Sequence, residues 1–137
     1  MFSQIKKIIN EADAIIIGAG AGLSASAGLD YSPSSFKKHF PELVKAYGMT
    51  DMYTSSFYEF NTPEERWSYW AKHINYSYIS KTSSKTYQNL LKIVQDKDYF
   101  VITTNVDGQF LKAGFNPKKV FEVQGSYNKI QCSIACH

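Results

Sequence analysis

Phe2, Ile5, Ile8, Ile9 and Ala12 recur at steps of three and four, so the chain opens on an amphipathic helix. The pattern then changes. Residues 14–17 are a continuous apolar run, as expected of a short parallel strand covered on both faces. The run drops into glycines within AIIIGAGAGLSASAG, and a helix is predicted to begin near residues 22–24 and to break at Asp30-Tyr31-Ser32-Pro33. From about residue 36 to 96 the spacing is mostly helical. Phe36, Phe40, Leu43, Val44 and Tyr47 make one apolar face, with a break or restart at Pro41. Thr62-Pro63-Glu64-Glu65 is a helix opening, with Thr62 as N-cap, Pro63 first and acids in the first turn. Trp67, Trp70, Ala71 and Ile74 continue it at i, i+3, i+4, i+7. Residues 85–95 form a further helix with Tyr87, Leu90, Leu91 and Val94 inward. A strand at 99–104, a short helix at 108–113 and a strand at 120–123 complete the pattern.

The order strand, helices, strand, helix, strand predicts an α/β fold: a partial Rossmann-like parallel sheet, with an aromatic-rich helical insert between its first and second strands. Ligands of such sheets lie beyond the carboxyl ends of the strands. Three polar groups fall there: the glycine turn, Asn105 with Asp107, and Gln124. Gly20, Gly22 and Ala25 match the G-x-G-x-x-G/A dinucleotide fingerprint, whose glycines leave room for phosphate oxygens. In a dehydrogenase the next strand, ending in a ribose-binding acid, follows within about 30 residues. Here it does not, so the dinucleotide reads as a substrate rather than a hydride carrier.

Composition narrows this further. One domain of 137 residues is expected, with the insert at about 31–96 and a small Cys-containing module starting at about 125–137. The formal charge of +3 is spread among mixed acids and bases, which leaves no basic stripe for nucleic acid. The two cysteines, Cys132 and Cys136, are too few for a disulfide framework and suit a reducing compartment. Glu11 and Asp13 and the glycine-broken apolar run argue against a signal peptide. No run approaches the ~20 apolar residues of a membrane span. A cytoplasmic protein without membrane contact is expected.

GAGAGLSASAG, ITTNVDGQF and EVQGSYNKIQC together resemble the sirtuins, the NAD-consuming protein deacylases and ADP-ribosyltransferases. Gly20–Ser24 with Gly28 match the family's G-A-G-I-S-x-x-x-G, residues 103–108 its T-Q-N-I-D-G, and Gln124-Gly125 its H-G. DMYTSSFYEF, EERWSYWAKHI and QCSIACH look like the class M, macrodomain-linked branch. The resemblance implies NAD as substrate, contacted by Gly18, Ala19, Gly20, Ala21, Gly22, Ser24, Gly28, Thr104, Asn105, Asp107 and Gln124. It implies catalytic roles for Asn105, which would orient the ribose or an attacking group, for Asp107, which would hold the carboxamide, and for Gln124.

The departures bear on the reaction. The family's P-D-F-R is absent, Thr104 replaces its glutamine, and Gln124 replaces its histidine. That histidine resembles a general base, and its near-neutral pKa suits it to take a ribose proton. An amide only donates and accepts hydrogen bonds. Loss of a positioned base costs ~10²–10⁴-fold, so deacylation should be badly impaired. Cleavage of the nicotinamide–ribose bond survives better, with Gln124 steering an acceptor. The implied activity is mono-ADP-ribosyl transfer to a protein such as a lipoylated carrier, with a macrodomain protein as a further partner. Lysine deacylation and non-catalytic NAD binding are the alternatives.

Blander readings stand beside these. Asn105 and Asp107 can close a strand–helix junction, and Ser24 can cap a helix. His39 and His73 read as structural or surface residues, and the Trp and Tyr stripes as core. The resemblance brings a zinc site built from two Cys pairs. Cys132 and Cys136 with His137 supply one pair and an awkward neighbour, so zinc stays open. The resemblance covers about the first half of a sirtuin, from which an incomplete NAD cradle, weak NAD affinity alone and an open apolar sheet edge at 120–123 are expected.

Overall fold

The computed structural model describes residues 1–134. In chain order the elements are α1 (Phe2–Glu11), β1 (Ala14–Ala19), α2 (Ala21–Ser26), α3 (Pro33–His39), α4 (Pro41–Tyr47), α5 (Met52–Ser55) and α6 (Pro63–Ile74). A π-helical turn at Asn75–Ile79, α7 (Lys85–Val94), β2 (Asp98–Thr103), α8 (Gln109–Lys112), a 3-10 turn at Pro117–Lys119 and β3 (Val120–Glu122) follow. They form two compact units, one of Met1–Ala27 with the chain from Ser83 onward, the other of Gly28–Thr82. The helix α7 thus belongs with the sheet.

In the first unit the strands form a parallel sheet in the order β1-β2-β3, with Ile16 opposite Phe100, Gly18 opposite Ile102 and Ile102 opposite Phe121. The α/β parallel fold is the one the sequence predicts. One face is a core. Tyr99, Val101 and Thr103 of β2 are buried, and Ile15, Ile17 and Ala19 of β1 pack toward Tyr87, Val94, Phe110 and Phe115. The rings meet edge to face, Tyr87 on Phe110 at 4.9 Å and Phe110 on Phe115 at 5.0 Å. Such packing adds about 0.5–1.5 kcal/mol per pair beyond area burial.

The other face corrects the expectation of two-sided burial. Ile16 is 74% exposed, and Phe100, Ile102 and Phe121 beside it are exposed too. A run without alternation fits a strand buried on both sides, but the residues packed in this unit's core lie on one side only. The apolar stripe of α1 is likewise open, with Phe2, Ile5 and Ile8 exposed and no residue of the helix buried. Contiguous exposed apolar surface binds hydrophobic dyes and partners. A double variant, Ile16→Ser with Phe121→Ser, is expected to cut the fluorescence of bound anilinonaphthalene sulfonate. Its melting temperature should shift by only a few degrees, because exposed side chains carry little stability.

The second unit is built around Phe36, Phe40, Leu43, Met49, Met52 and Tyr69. Pro41 cannot continue α3, so the helix ends and α4 restarts with proline in its first turn. At α6 the Thr62 hydroxyl accepts from Glu65 N at 3.2 Å, and the Glu65 carboxylate accepts from Asn61 N at 3.1 Å. This reciprocal cap is the one the sequence signals. The buried face of α6 is only partly the expected one, since Trp70 packs against this core but does not lie at its centre. Tyr69 and His73 are buried, whereas Trp67 is 54% exposed. The Tyr69 hydroxyl donates to the Met52 carbonyl at 3.1 Å and lies 2.9 Å from His73 Nδ1. These two side chains satisfy each other one helical turn apart, so their face is buried without stranding a polar group. No helix among the described residues is long and apolar enough to cross a membrane.

Candidate functional site

The three strands end together, at Ala19, Thr103 and Glu122, and backbone hydrogen bonds carry the pairing past those ends. Thr104 N donates to the Ala19 carbonyl at 3.1 Å, Val123 N to Thr103 at 2.9 Å and Tyr127 N to Val106 at 3.0 Å. The glycine turn, the loop carrying Asn105 and Asp107, and Gln124 therefore emerge on one rim. Gln124 is exposed, and its amide nitrogen donates to the Thr104 carbonyl. The Thr104 hydroxyl reaches the turn as well, 3.5 Å from where a Cβ on Gly20 would sit.

Backbone conformation does not explain the glycines of this turn. Gly18, Gly20 and Gly22 all have negative φ. A Cβ at Gly18 or Gly22 would meet nothing within 4 Å, and at Gly20 only that hydroxyl. What their bareness provides is an open strip of main chain at the end of β1, which fits the close approach of a pyrophosphate. Gly20 precedes α2, which is six residues long. Ala19 differs, being partly buried against the core, while Ala21 is exposed. Gly28 belongs to the other unit, and its φ of +90° itself requires glycine.

Behind the rim lies a buried polar network. Ser24 Oγ donates to Asp107 Oδ2 at 2.6 Å and lies 3.3 Å from the Tyr87 hydroxyl. Asn105 Nδ2 donates to that same hydroxyl at 3.2 Å. Asp107, only 2% exposed, also accepts from Gln109 N at 3.1 Å through Oδ1. Asp107 thus closes the strand–helix junction and holds Ser24 at once. Asn105 has a local bond too, its N–H donating to Thr103 Oγ1 at 3.0 Å. Burial pushes the Tyr87 phenol up, and the nearby Asp107 charge adds to this. Burial pushes Lys112 down, and Asp107 partly reverses the effect, so a cation sits near the buried carboxylate.

Sequence reasoning placed Tyr87 only on an apolar helix face. The signal it left was the residue type: a tyrosine buried toward a polar loop brings a hydroxyl that needs a partner. His39 is exposed and His73 buried in the other unit, away from any role drawn from the motifs. Cys132 is exposed, and no group of three or more metal-binding side chains occurs among the described residues. Cys136 and His137 lie outside the described residues.

The profile of the Sir2 family matches residues 20–137, from the glycine turn through Asn105, Asp107 and Gln124. The chain belongs to the Sir2 family. This Sir2 chain is 37% identical over 133 residues to a "Protein ADP-ribosyltransferase" of Staphylococcus aureus, an alignment covering 97% of this chain and 42% of that protein. It is 38% identical over 138 positions to a "Probable bifunctional ADP-ribose hydrolase/ADP-ribosyltransferase" of Fusarium oxysporum f. sp. cubense, covering 98% of this chain and 23% of that one. An "NAD-dependent protein deacylase" of Candida albicans is 30% identical over 127 residues, with 90% and 39% covered. The chain therefore spans less than half the length of these relatives. Among solved structures, a Sir2 homolog–NAD complex superposes with a TM-score of 0.60 at 21% identity, covering 90% of this chain and 45% of the other. At that identity the likeness establishes the Sir2 fold.

Proposed function

We propose that this chain carries the reaction-centre residues of an NAD-dependent protein mono-ADP-ribosyltransferase of sirtuin type. The observation that carries the reading is Gln124, an exposed amide held to the Thr104 carbonyl on the same rim as the glycine turn. At neutral pH a glutamine takes no proton, so a reaction that must deprotonate a ribose hydroxyl lacks its base. Breaking the nicotinamide–ribose bond needs no such base. Nicotinamide departs with the bonding electron pair, positive charge develops on the ribose, and a nucleophilic side chain of the acceptor protein bonds to that carbon and releases its proton to solvent. Asp107 supplies negative charge beneath the rim, Asn105 orients the ribose or the attacking group, and Gln124 steers the acceptor with its amide. Gly18, Gly20 and Gly22 give the pyrophosphate access to main chain. Thr104 and the rim residues around it complete the NAD contacts. Ser24 stands behind them holding Asp107 and joins the cofactor set by the motif, and Gly28 joins by the motif alone.

The relatives named for ADP-ribosyl transfer at 37% and 38% identity support transfer over deacylation. The resemblance to the macrodomain-linked branch supports a macrodomain protein as a further partner. The Fusarium name, which pairs ADP-ribose hydrolase with ADP-ribosyltransferase, agrees with it. The resemblance of the insert to the class M branch supports a lipoylated carrier as acceptor.

The test is incubation with adenine-labelled NAD and a lipoylated carrier protein. Label on the carrier supports transfer. Nicotinamide released without carrier label keeps bond cleavage and rejects the acceptor, and neither release nor NAD binding leaves the deacylase and transferase readings both rejected. Gln124→His is expected to raise deacylation of an acyl-lysine peptide above the parent chain. Absence of any gain, with NAD cleavage intact, counts against the role given to Gln124.

A further inference from the structure

We infer that Tyr87 is a positioning residue of this site, its buried hydroxyl fixing the direction in which Asn105 and the Ser24–Asp107 pair present their polar atoms. The inference rests on the functional reading above for its consequence, but not for its geometry. Tyr87 has no exposed surface, so it touches no substrate and acts only through its neighbours.

The donors in the network can be ordered. Ionised Asp107 only accepts, so the single proton of Ser24 goes to Oδ2, at 2.6 Å. Asn105 Nδ2 spends one of its protons on the phenol oxygen, at 3.2 Å. The phenol proton then has the Ser24 oxygen as its acceptor, 3.3 Å away. Each hydroxyl donates once and accepts once, and the sequence of bonds runs one way, from Asn105 through Tyr87 and Ser24 to Asp107. With the amide nitrogen of Asn105 committed to Tyr87, its oxygen is turned the other way. An acceptor oxygen suits a ribose hydroxyl or an attacking group that still carries its proton. A flipped amide would offer that group a donor instead.

The ring that carries the hydroxyl is held against the segment following Asp107. The Tyr87 ring stands edge-on to Phe110 in α8, at 4.9 Å and 85°. Ser84 N, at the start of α7, donates to Gln109 Oε1 at 2.9 Å, and Gln109 follows Asp107 closely in the same loop and helix. Because burial raises the phenol's pKa, it keeps its proton throughout the neutral range.

Tyr87→Phe removes the hydroxyl and keeps the ring. In the ligand-free chain, the two side-chain amide protons of Asn105 should exchange with solvent faster and shift in the nitrogen–proton NMR spectrum. Nicotinamide release should fall about tenfold in kcat with KM nearly unchanged, the effect of one lost orienting hydrogen bond. Combining Tyr87→Phe with Ser24→Ala should lower kcat no further than the worse single variant, since both break one series of bonds. Asn105 amide signals identical to those of the parent chain overturn the inference, as does an undiminished kcat. If the parent chain releases no nicotinamide, the functional reading fails while the amide protons still decide the geometry. Should Tyr87→Phe fail to fold, Ser24→Ala tests the series from its other end. Ser24 and Asn105 both bond to the Tyr87 hydroxyl, so faster Asn105 exchange supports the inference and unchanged exchange overturns it.

Discussion

Asp107→Asn is expected to lower NAD-dependent nicotinamide release by about 10²–10³-fold, the range found when a preorganised electrostatic group is lost. The substitution keeps the shape and removes the charge. Gln109 N still needs an acceptor at Oδ1, so the new amide keeps its oxygen there and turns its nitrogen toward Ser24. Ser24 now faces a donor where it had a carboxylate at 2.6 Å, and its bond must reverse. The side chain is 2% exposed, so water cannot make good the loss. Stability should fall by only about 1–3 kcal/mol, the cost of a mismatched buried pair. Chemical denaturation separates that from the activity, and parental release by a folded variant would rule out the role given to Asp107.

The second large effect is one of acidity and falls in the other unit. Desolvation pushes His73 down to about 4, so the folded chain holds it neutral where an unfolded chain, at about 6.5, is protonated. A depressed histidine pKa means that the unfolded state binds the extra proton between these values. Stability is complete above about pH 6.5 and falls as pH drops toward 4, by about 3 kcal/mol in all. Below 4 both states are protonated and this contribution is level. Asp30, Glu42 and Asp51, held below the usual carboxylate values mainly by hydrogen bonds to Ser32, Lys72 and Thr54, act only at still lower pH. Both tryptophans of the chain, Trp67 and Trp70, lie in the unit of His73, so their fluorescence follows its unfolding. Urea midpoints should hold from about pH 7.5 to about 6.5 and decline from there to about 4.5. His73→Phe should flatten that decline, and an equal slope in both proteins would reject the assignment.

Much of this was legible from residue order. The change from helical spacing to an apolar run, and from that run to glycines, located β1 and its turn. Thr62 and Pro63 marked the start of α6 because a cap and a fixed φ act locally, within four residues. What sequence could not supply was the far partner. Ile16 reads as buried because it is apolar, and only the three-dimensional packing shows which sheet face acquires a cover. On α6 the apolar pattern points to Trp67 and Trp70, of which only Trp70 packs on the core, while Tyr69 and His73 are buried through a hydrogen bond that the pattern does not carry. Tyr87 was hidden for the opposite reason. Its ring fits the apolar stripe of α7, and the pattern carries no sign of the hydroxyl that joins Asn105 to Ser24.

The attachment of Gln124 has a bearing on how such a protein changes over generations. Its side chain lies outside the core and bonds a main-chain oxygen, which stays in place whatever residue occupies position 104. Exchange for another polar residue therefore disturbs little of the interior, whereas Asp107 is locked to its neighbours. A lineage built on this framework can therefore change the residue at this position without first acquiring compensating substitutions elsewhere.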